Sequence, residues 1–259
     1  EAVAPDGTLS LLSSETRRIK GGNSRLPEAM AEALGDRVRV GAAVTRVQHH
    51  RDGVSVDAGA RRTHAGWLVV AAPMPPIRRV RFDPPLPPSV RTMIDGLDLG
   101  HAVKIIREYL APFWTAEGFS GFTLTDLPFA VGWSPTDSYP AVQGLLTEFI
   151  TGDAANTAAR MPPGRREEVF LAQLDRVYPE GAPLATNLVA TKAWANDPNT
   201  GGGYAVYKPG QMVPFFPVLR DGTGRILFAG EHTCPLAGYM ESAVRSGHTV
   251  AAKIGRPPG

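Results

Sequence analysis

Between Arg225 and Ile254 the chain reads as a short strand, a glycine turn and a helix, and this order restricts the fold more than any other stretch does. The apolar run Ile226 to Ala229 is short and β-leaning. Gly230 and Gly238 bracket a loop, and Met240, Val244, Gly247, Ala251 and Ile254 recur on one helical face. A strand that hands its C-terminal end to a helix start is the building unit of an open α/β sheet. Ligands of such sheets bind beyond the strand ends. The free N–H groups and positive dipole end of the helix favour an electron-rich group at that place.

The residues FAGEHT (228–233) followed by GYMESAVRSG (238–247) resemble the C-terminal flavin-binding signature of the flavin-containing amine oxidase family, which includes monoamine, polyamine and L-amino-acid oxidases. Further blocks stand in that family's order and cover nearly the whole chain. They are Ile19 to Met30, Val44 to Val47, Trp67 to Pro73, Val103 to Ile105 with Pro112 to Trp114, Trp194, Gly201 to Tyr204, and Pro209 to Gln211. The resemblance implies an α/β (mixed α+β) fold, in which part of an FAD-binding Rossmann-like domain is interleaved with a mixed-sheet substrate-binding domain. It also implies FAD-dependent oxidation of an amine or amino acid to an imine or carbonyl, with oxygen as acceptor and hydrogen peroxide released. The wording of the blocks is closer to bacterial monoamine or L-amino-acid oxidases than to the animal enzymes.

Family members begin with a strand, a GxGxxG turn and a helix that hold the ADP half of FAD. No GxGxxG occurs in this sequence, and neither Gly21-Gly22 nor Gly201 to Gly203 has the spacing that joins a tight turn to close pyrophosphate approach and helix packing. The resemblance therefore implies the C-terminal part of an oxidase: a truncated form, a processed subunit or a split-gene product, with the missing N-terminal FAD-binding segment or subunit as a partner. Two alternatives stand beside it. One is a non-catalytic fragment that folds and binds a ligand or partner without turnover, and the other is a related FAD enzyme such as a desaturase or porphyrinogen oxidase.

At 259 residues the chain is long enough to bury roughly three quarters of its unfolded surface. A net charge of +2 and four dispersed arginine pairs, Arg17-Arg18, Arg61-Arg62, Arg78-Arg79 and Arg165-Arg166, read as solvated surface and point away from nucleic acid. The longest apolar run, Ala65 to Met74, is about half of what a membrane helix requires. Without a secretory pattern at the start, cytoplasmic residence is the expectation. The single Cys234 excludes an internal disulfide, and with His232 and His248 it offers too few ligands for a metal site.

Periodicity predicts a helix from Ser24 to Gly35 with Leu26, Met30 and Leu34 on one face. Strands are predicted at Val38 to Val40, Val44 to Val47 and Val54 to Asp57, the last pair turned by Gly53. Trp67 to Ala71, apolar throughout, reads as a strand covered on both faces. The proline-rich stretch Pro73 to Pro88 marks a crossover. The chain is divided accordingly into a flavin-domain segment at 1–75, a substrate-binding domain at 76–215 and a C-terminal flavin-domain segment at 216–259. Within the middle region Val103 to Tyr109, Gly144 to Ile150 and Asn187 to Trp194 read as strands, and Phe170, Leu174 and Val177 mark a helix between Arg165 and Tyr178.

There is no nucleophile elbow, since Gly118 to Phe122 has its second glycine one place too early. Flavin oxidation of an amine asks mainly for an aromatic, largely apolar pocket that orients an uncharged amine. Lys104 lies inside an apolar strand, where an ammonium either snorkels from a strand edge or is held for function. The resemblance gives it a hydrogen bond to a water beside flavin N5 that promotes reoxidation. It makes Tyr204 and Tyr239 the two facing rings that flank the amine, and Trp194 the ring packed near the flavin. It gives Glu231 the cofactor hydroxyls, Val47 a backbone contact with the adenine, Ala71 and the Gly230 and Gly238 turn contacts at the strand ends, and Met240 a backbone N–H to the flavin pyrimidine edge. Gly203 stands before Tyr204 where covalently flavinylated members carry cysteine, so the FAD is expected to be non-covalent.

Overall fold

A computed structural model describes residues 19–135 and 143–255 of the chain. The chain divides after Ala42. Within residues 19–42, helix Arg25–Leu34 (α1) follows Ser24 and ends where the Gly35 N–H is donated to the carbonyls of Ala31 and Glu32. Its stripe of Leu26, Met30 and Leu34 is exposed. Val38–Val40, predicted as a strand, pairs with no other segment among the described residues and is not one.

Beyond Ala42, Val44–His49 (β1), Val54–Ala58 (β2) and Arg61–Ala65 (β3) form an antiparallel meander. The third strand escapes a pattern reading because all five of its residues are exposed, so no apolar alternation marks it. After Leu68–Val70 (β4) and the short helix Met74–Ile77 (α2), Arg81–Asp83 (β5) returns parallel to β1. Pro88–Gly96 (α3) leads on to the two-residue strand Asp98–Leu99 (β6). The proline-rich stretch is thus built into the first core and does not leave it. Met74, Val90, Met93, Ile94 and Leu97 pack with Val54, Val70, Phe215, Leu219, Ile226 and Phe228.

The second core lies under an antiparallel sheet of Ala102–Tyr109 (β7), Thr123–Leu124 (β8), Val131–Trp133 (β9), Gly144–Thr151 (β10) and Ala185–Ala193 (β11) in the order β11-β7-β10-β9-β8. Helices Gly152–Arg160 (α4) and Pro163–Val177 (α5) join its middle to its edge. Alternation sends Val103, Ile105, Tyr109, Leu146 and Ile150 to one face, where Phe170 and Leu174 of α5 cover them. Arg166 does not belong to a solvated pair. It is buried, and its guanidinium donates to the carbonyls of Ala158 and Met161, satisfying the end of α4.

The chain returns through Ala205–Val206 (β12), which pairs with β6, and helix Met212–Asp221 (α6). It ends with Ile226–Phe228 (β13) and helix Met240–Ile254 (α7). β13 runs parallel to β4, as an α/β unit requires, but the expected two-sided cover of β4 is absent: Val70 is buried while Val69 is 37% exposed. The inner face of α7 is the serine side, with Ser242, Ser246 and Val250 buried, whereas Met240, Val244 and Ile254 are open to solvent. Serine faces inward because its hydroxyls have work there. Ser246 Oγ accepts the N–H of Gly230 at 2.8 Å, and Ser242 Oγ donates to the carbonyl of Leu236 at 2.6 Å.

Candidate active site

The run Gly201 to Gly203 is required by close packing. A side-chain carbon on Gly202 would lie 2.4 Å from Cβ of Leu99, and one on Gly203 would lie 2.9 Å from Cβ of Ala102. Without those carbons the segment lies directly on the β6–β7 turn. There the Gly203 N–H donates to the Gly100 carbonyl (2.9 Å), and the Gly100 N–H donates to the Tyr204 carbonyl (2.6 Å). Tyr204 is therefore carried on a strap fixed to the start of β7. Further along the strap, Lys208 Nζ donates to Asp98, which also accepts from Arg78, each at 2.7 Å. These charges and Tyr204 line a cavity of about 660 Å³ that no sequence pattern announces, because its walls come from four separate segments.

The second tyrosine arrives from the C-terminal unit. Gly230, at φ +132°, stands where any side-chain carbon would meet the His232 ring at 2.5 Å, so the strand can turn only through glycine. His232 is buried and its pKa is pushed down to about 4 by that burial, which keeps the ring neutral. Glu231 follows Gly230 and faces two loops at once. One carboxylate oxygen accepts the N–H of Ala205 (3.0 Å) and the other accepts the N–H of Gly238 (2.6 Å). The residue after Tyr204 and the residue before Tyr239 are thereby tied to one side chain. A Cβ on Gly238 would lie 3.9 Å from Cβ of Tyr204, so the two loops are in contact distance.

Lys104 is not on a strand edge, since β7 is flanked by β10 and β11. Its face is the one opposite α5 and is shared with Ala102, against which the Tyr204 strap lies. Directly opposite it are Phe149 and Lys192. Its Nζ lies 5.2 Å from the ring centre of Trp133 and 5.3 Å from that of Phe149, within cation–π range. Lys192 Nζ is drawn instead to Asp197 (2.6 Å) and to the ring of Trp194, 4.9 Å away. The sheet face thus carries Lys104 Nζ among the rings of Trp133 and Phe149, with Lys192 and Trp194 at its margin. Trp133 and Phe149 are members that the sequence reading passed over; their alternation with buried neighbours resembles ordinary core.

Lys104, Trp194, Tyr204, Glu231, Gly238 and Tyr239 are thus linked by direct contacts, by strand register or by adjacency in the chain. Ala71 and Gly230 lie beside one another at the C-terminal ends of β4 and β13, where the Ala229 N–H donates to the Val70 carbonyl. Val47 stands in β1, 2% exposed and paired with Val56 on one side and Phe82 on the other; its side chain belongs to the core, while the role expected of it is a backbone contact. The Gly230 N–H is donated to Ser246, and each Glu231 oxygen accepts one backbone N–H, which leaves further lone pairs on the carboxylate.

The flavin end of FAD fits what remains. α7 is capped by Tyr239 without a side-chain cap, so its first-turn N–H groups, that of Met240 included, lack partners within the helix. Tyr239 and Met240 are themselves exposed. Open donors at a helix start, beyond the ends of two parallel strands, suit the electron-rich pyrimidine edge of a flavin. Among the described residues no group of three or more His, Cys, Asp or Glu side chains could hold a metal, and no helix is long and apolar enough to cross a membrane.

Residues 6–255 match the family model described as flavin containing amine oxidoreductase. An amine oxidase [flavin-containing] of Oncorhynchus mykiss is 28% identical over 261 residues, which is 96% of this chain and 49% of the relative. A putative flavin-containing monoamine oxidase of Mycobacterium tuberculosis is 31% identical, covering 92% of this chain and 52% of the relative. Among solved structures, a cofactor-binding redesign of putrescine oxidase superposes with a TM-score of 0.84 at 27% identity, over 90% of this chain and 53% of that one. Cyclohexylamine oxidase from Brevibacterium oxydans gives 0.83 at 28% identity, over 90% and 52%. The chain spans about half the length of the relatives it matches.

Proposed function

Since the chain belongs to the flavin-containing amine oxidoreductase family, whose cofactor is FAD, we propose that it supplies the substrate-binding and C-terminal flavin-binding parts of an oxidase acting on a small amine or amino acid. The convergence of the Tyr204 strap and the Tyr239 loop beside the Lys104 face supports this reading most strongly. In it, Ala71, the Gly230 turn, Tyr239 and the Met240 N–H hold the flavin end of a non-covalent FAD. When bound, that group accepts a hydride equivalent from the carbon bearing nitrogen and passes electrons to oxygen, with hydrogen peroxide released.

The chain's own residues bind and orient. Tyr204 and Tyr239 present electron-rich faces to the substrate nitrogen and confine it between them. The rings of Trp133, Phe149 and Trp194 keep the floor of the site apolar, which favours an uncharged amine over an ammonium ion. Lys104 holds a water at its Nζ and offers a positive charge where reduced oxygen must be stabilised. The uncovered face of α7 and the open side of β4 support a reading in which further polypeptide packs against them and supplies the pyrophosphate turn. The test is steady peroxide release and oxygen uptake by the product of the intact gene across a panel of monoamines, diamines and amino acids. Absence of turnover with every member, in a protein that retains FAD, would refute it.

A further inference from the structure

Glu231 holds the two tyrosines at their spacing, and we propose that it is the positioning residue of the amine site, acting through backbone N–H groups without touching substrate. The inference rests on the reading of Tyr204 and Tyr239 as the amine-binding pair. Its basis is the geometry around one carboxylate. Oε1 accepts from Ala205, the residue after Tyr204, and Oε2 accepts from Gly238, the residue before Tyr239. Hydrogen bonds to an ionised carboxylate are short and strong, and two on one side chain fix two donors relative to each other.

The two loops differ in what else restrains them. Tyr204 sits on a strap already bonded to Gly100 on both sides, paired through β12 to β6, and anchored again where Lys208 meets Asp98. The loop before Tyr239 has fewer ties. Leu236 accepts from Ser242 within the same segment, Cys234 Sγ donates to the Ser242 carbonyl, and among the described residues only the bond to Glu231 links the loop backbone at Gly238 toward the strap, while Tyr207 of the strap donates to the His232 carbonyl at 2.5 Å. Tyr239 is also 37% exposed. Glu231 therefore transmits the fixed position of Tyr204 to a ring that would otherwise swing. Its own base is firm, because the preceding turn is locked by the Gly230 N–H to Ser246 and by Thr233 Oγ1 donating to the Gly230 carbonyl at 2.8 Å.

Glu231→Gln tests this. The amide keeps the shape of the side chain but has one oxygen, so it can accept from only one of the two N–H groups and turns its NH₂ toward the other. Site-resolved amide exchange on the 259-residue chain should show Gly238 released by about tenfold or more, with Ala205 affected less because the strap stays bonded. The Ile226 and Val250 amides should keep their protection. A 19F label on Tyr239 should broaden or shift in the same variant, and the same label on Tyr204 should not. Unchanged exchange at both Gly238 and Ala205 overturns the proposal, and so does uniform loss of protection through β13 and α7, which would mark Glu231 as a general stabiliser.

In the intact enzyme the variant should lose kcat for amines through slower flavin reduction while oxygen reactivity stays as in the parent. A parent enzyme that oxidises no amine, combined with the exchange pattern above, would leave the clamp standing and remove the reading of the site. An active parent whose Glu231→Gln variant keeps full reduction rate would do the reverse.

Discussion

Gly202→Ala tests the strap where its packing is tightest. The added carbon would lie 2.4 Å from Cβ of Leu99 and 3.0 Å from the Gly100 carbonyl oxygen, and neither obstacle is the end of a flexible side chain. Ordinary contact begins near 3.4 Å, so the strap must retreat by about 1 Å, an extent typical of overpacked cores. That retreat stretches the 2.9 Å bond from Gly203 to Gly100 beyond hydrogen-bonding range, which is reached at about 3.5 Å. Overpacking of this kind costs about 1–3 kcal/mol, and a lost backbone bond adds about 0.5–1.5 kcal/mol. For a chain of this size the sum corresponds to a Tm lower by roughly 3–18 °C. Differential scanning calorimetry of the variant against the parent measures it. Gly247→Ala is the control, since a carbon there meets nothing within 4 Å on an exposed helix face, and it should hold or raise Tm. In the intact enzyme a 1 Å displacement of Tyr204 should slow flavin reduction by about 10²-fold. Melting indistinguishable from the parent, with reduction within twofold, as an order-of-magnitude bound, would refute the packing argument.

Other outcomes follow from the same structure. Glu148 is fully buried on β10, neither of its carboxyl oxygens has a hydrogen-bond partner among the described residues, and burial pushes its pKa up to about 9 against the opposing influence of Arg107. The folded state therefore keeps a proton that the unfolded chain releases near pH 4.5, and stability falls as pH rises from there towards 9. Glu148→Gln should match the parent near pH 4 and exceed it by about 3 kcal/mol at pH 7; parallel pH profiles in urea melts would contradict this. His232 acts in the opposite direction: its depressed pKa makes the fold lose stability as pH falls from about 6.5 towards 4, and His232→Asn should flatten that limb. The 259-residue chain alone should bind FAD weakly and turn over no amine, because the pyrophosphate lacks its glycine-turn donors. Fluorescence titration measures the affinity, and acid precipitation should release all the chromophore. Tight stoichiometric binding, sustained peroxide release or yellow precipitate would each count against it.

The parts legible in the sequence are those where one strong local pattern meets no competitor. Ile226–Phe228, Met240–Ile254, Ala102–Tyr109 and Gly144–Thr151 follow their apolar periods, and the structure forms each within a residue or two. α6 is hidden by Pro214 and Pro217, which argue against a helix until Phe215 and Leu219 are seen buried in the first core. α4 is hidden because its alanines, asparagine and threonine show no apolar stripe, although Ala155 and Ala158 are buried. The candidate site residues were named through resemblance, but the ties between them were not legible. Nothing in the letters places Glu231 between Ala205 and Gly238, or sets Trp133 and Phe149 about Lys104, because those relations depend on strand register and on a strap that returns after about 100 residues of intervening chain.

The division of labour on the Lys104 face is best tested by separating the two half-reactions in stopped flow. In the intact enzyme Lys104→Met should slow reoxidation of the reduced flavin by oxygen and leave anaerobic reduction by the amine nearly intact. Tyr239→Ala should slow the reduction and leave reoxidation unchanged. Traces in which both variants lose mainly their reductive rate would contradict the assignment of oxygen chemistry to the lysine and amine orientation to the tyrosine pair.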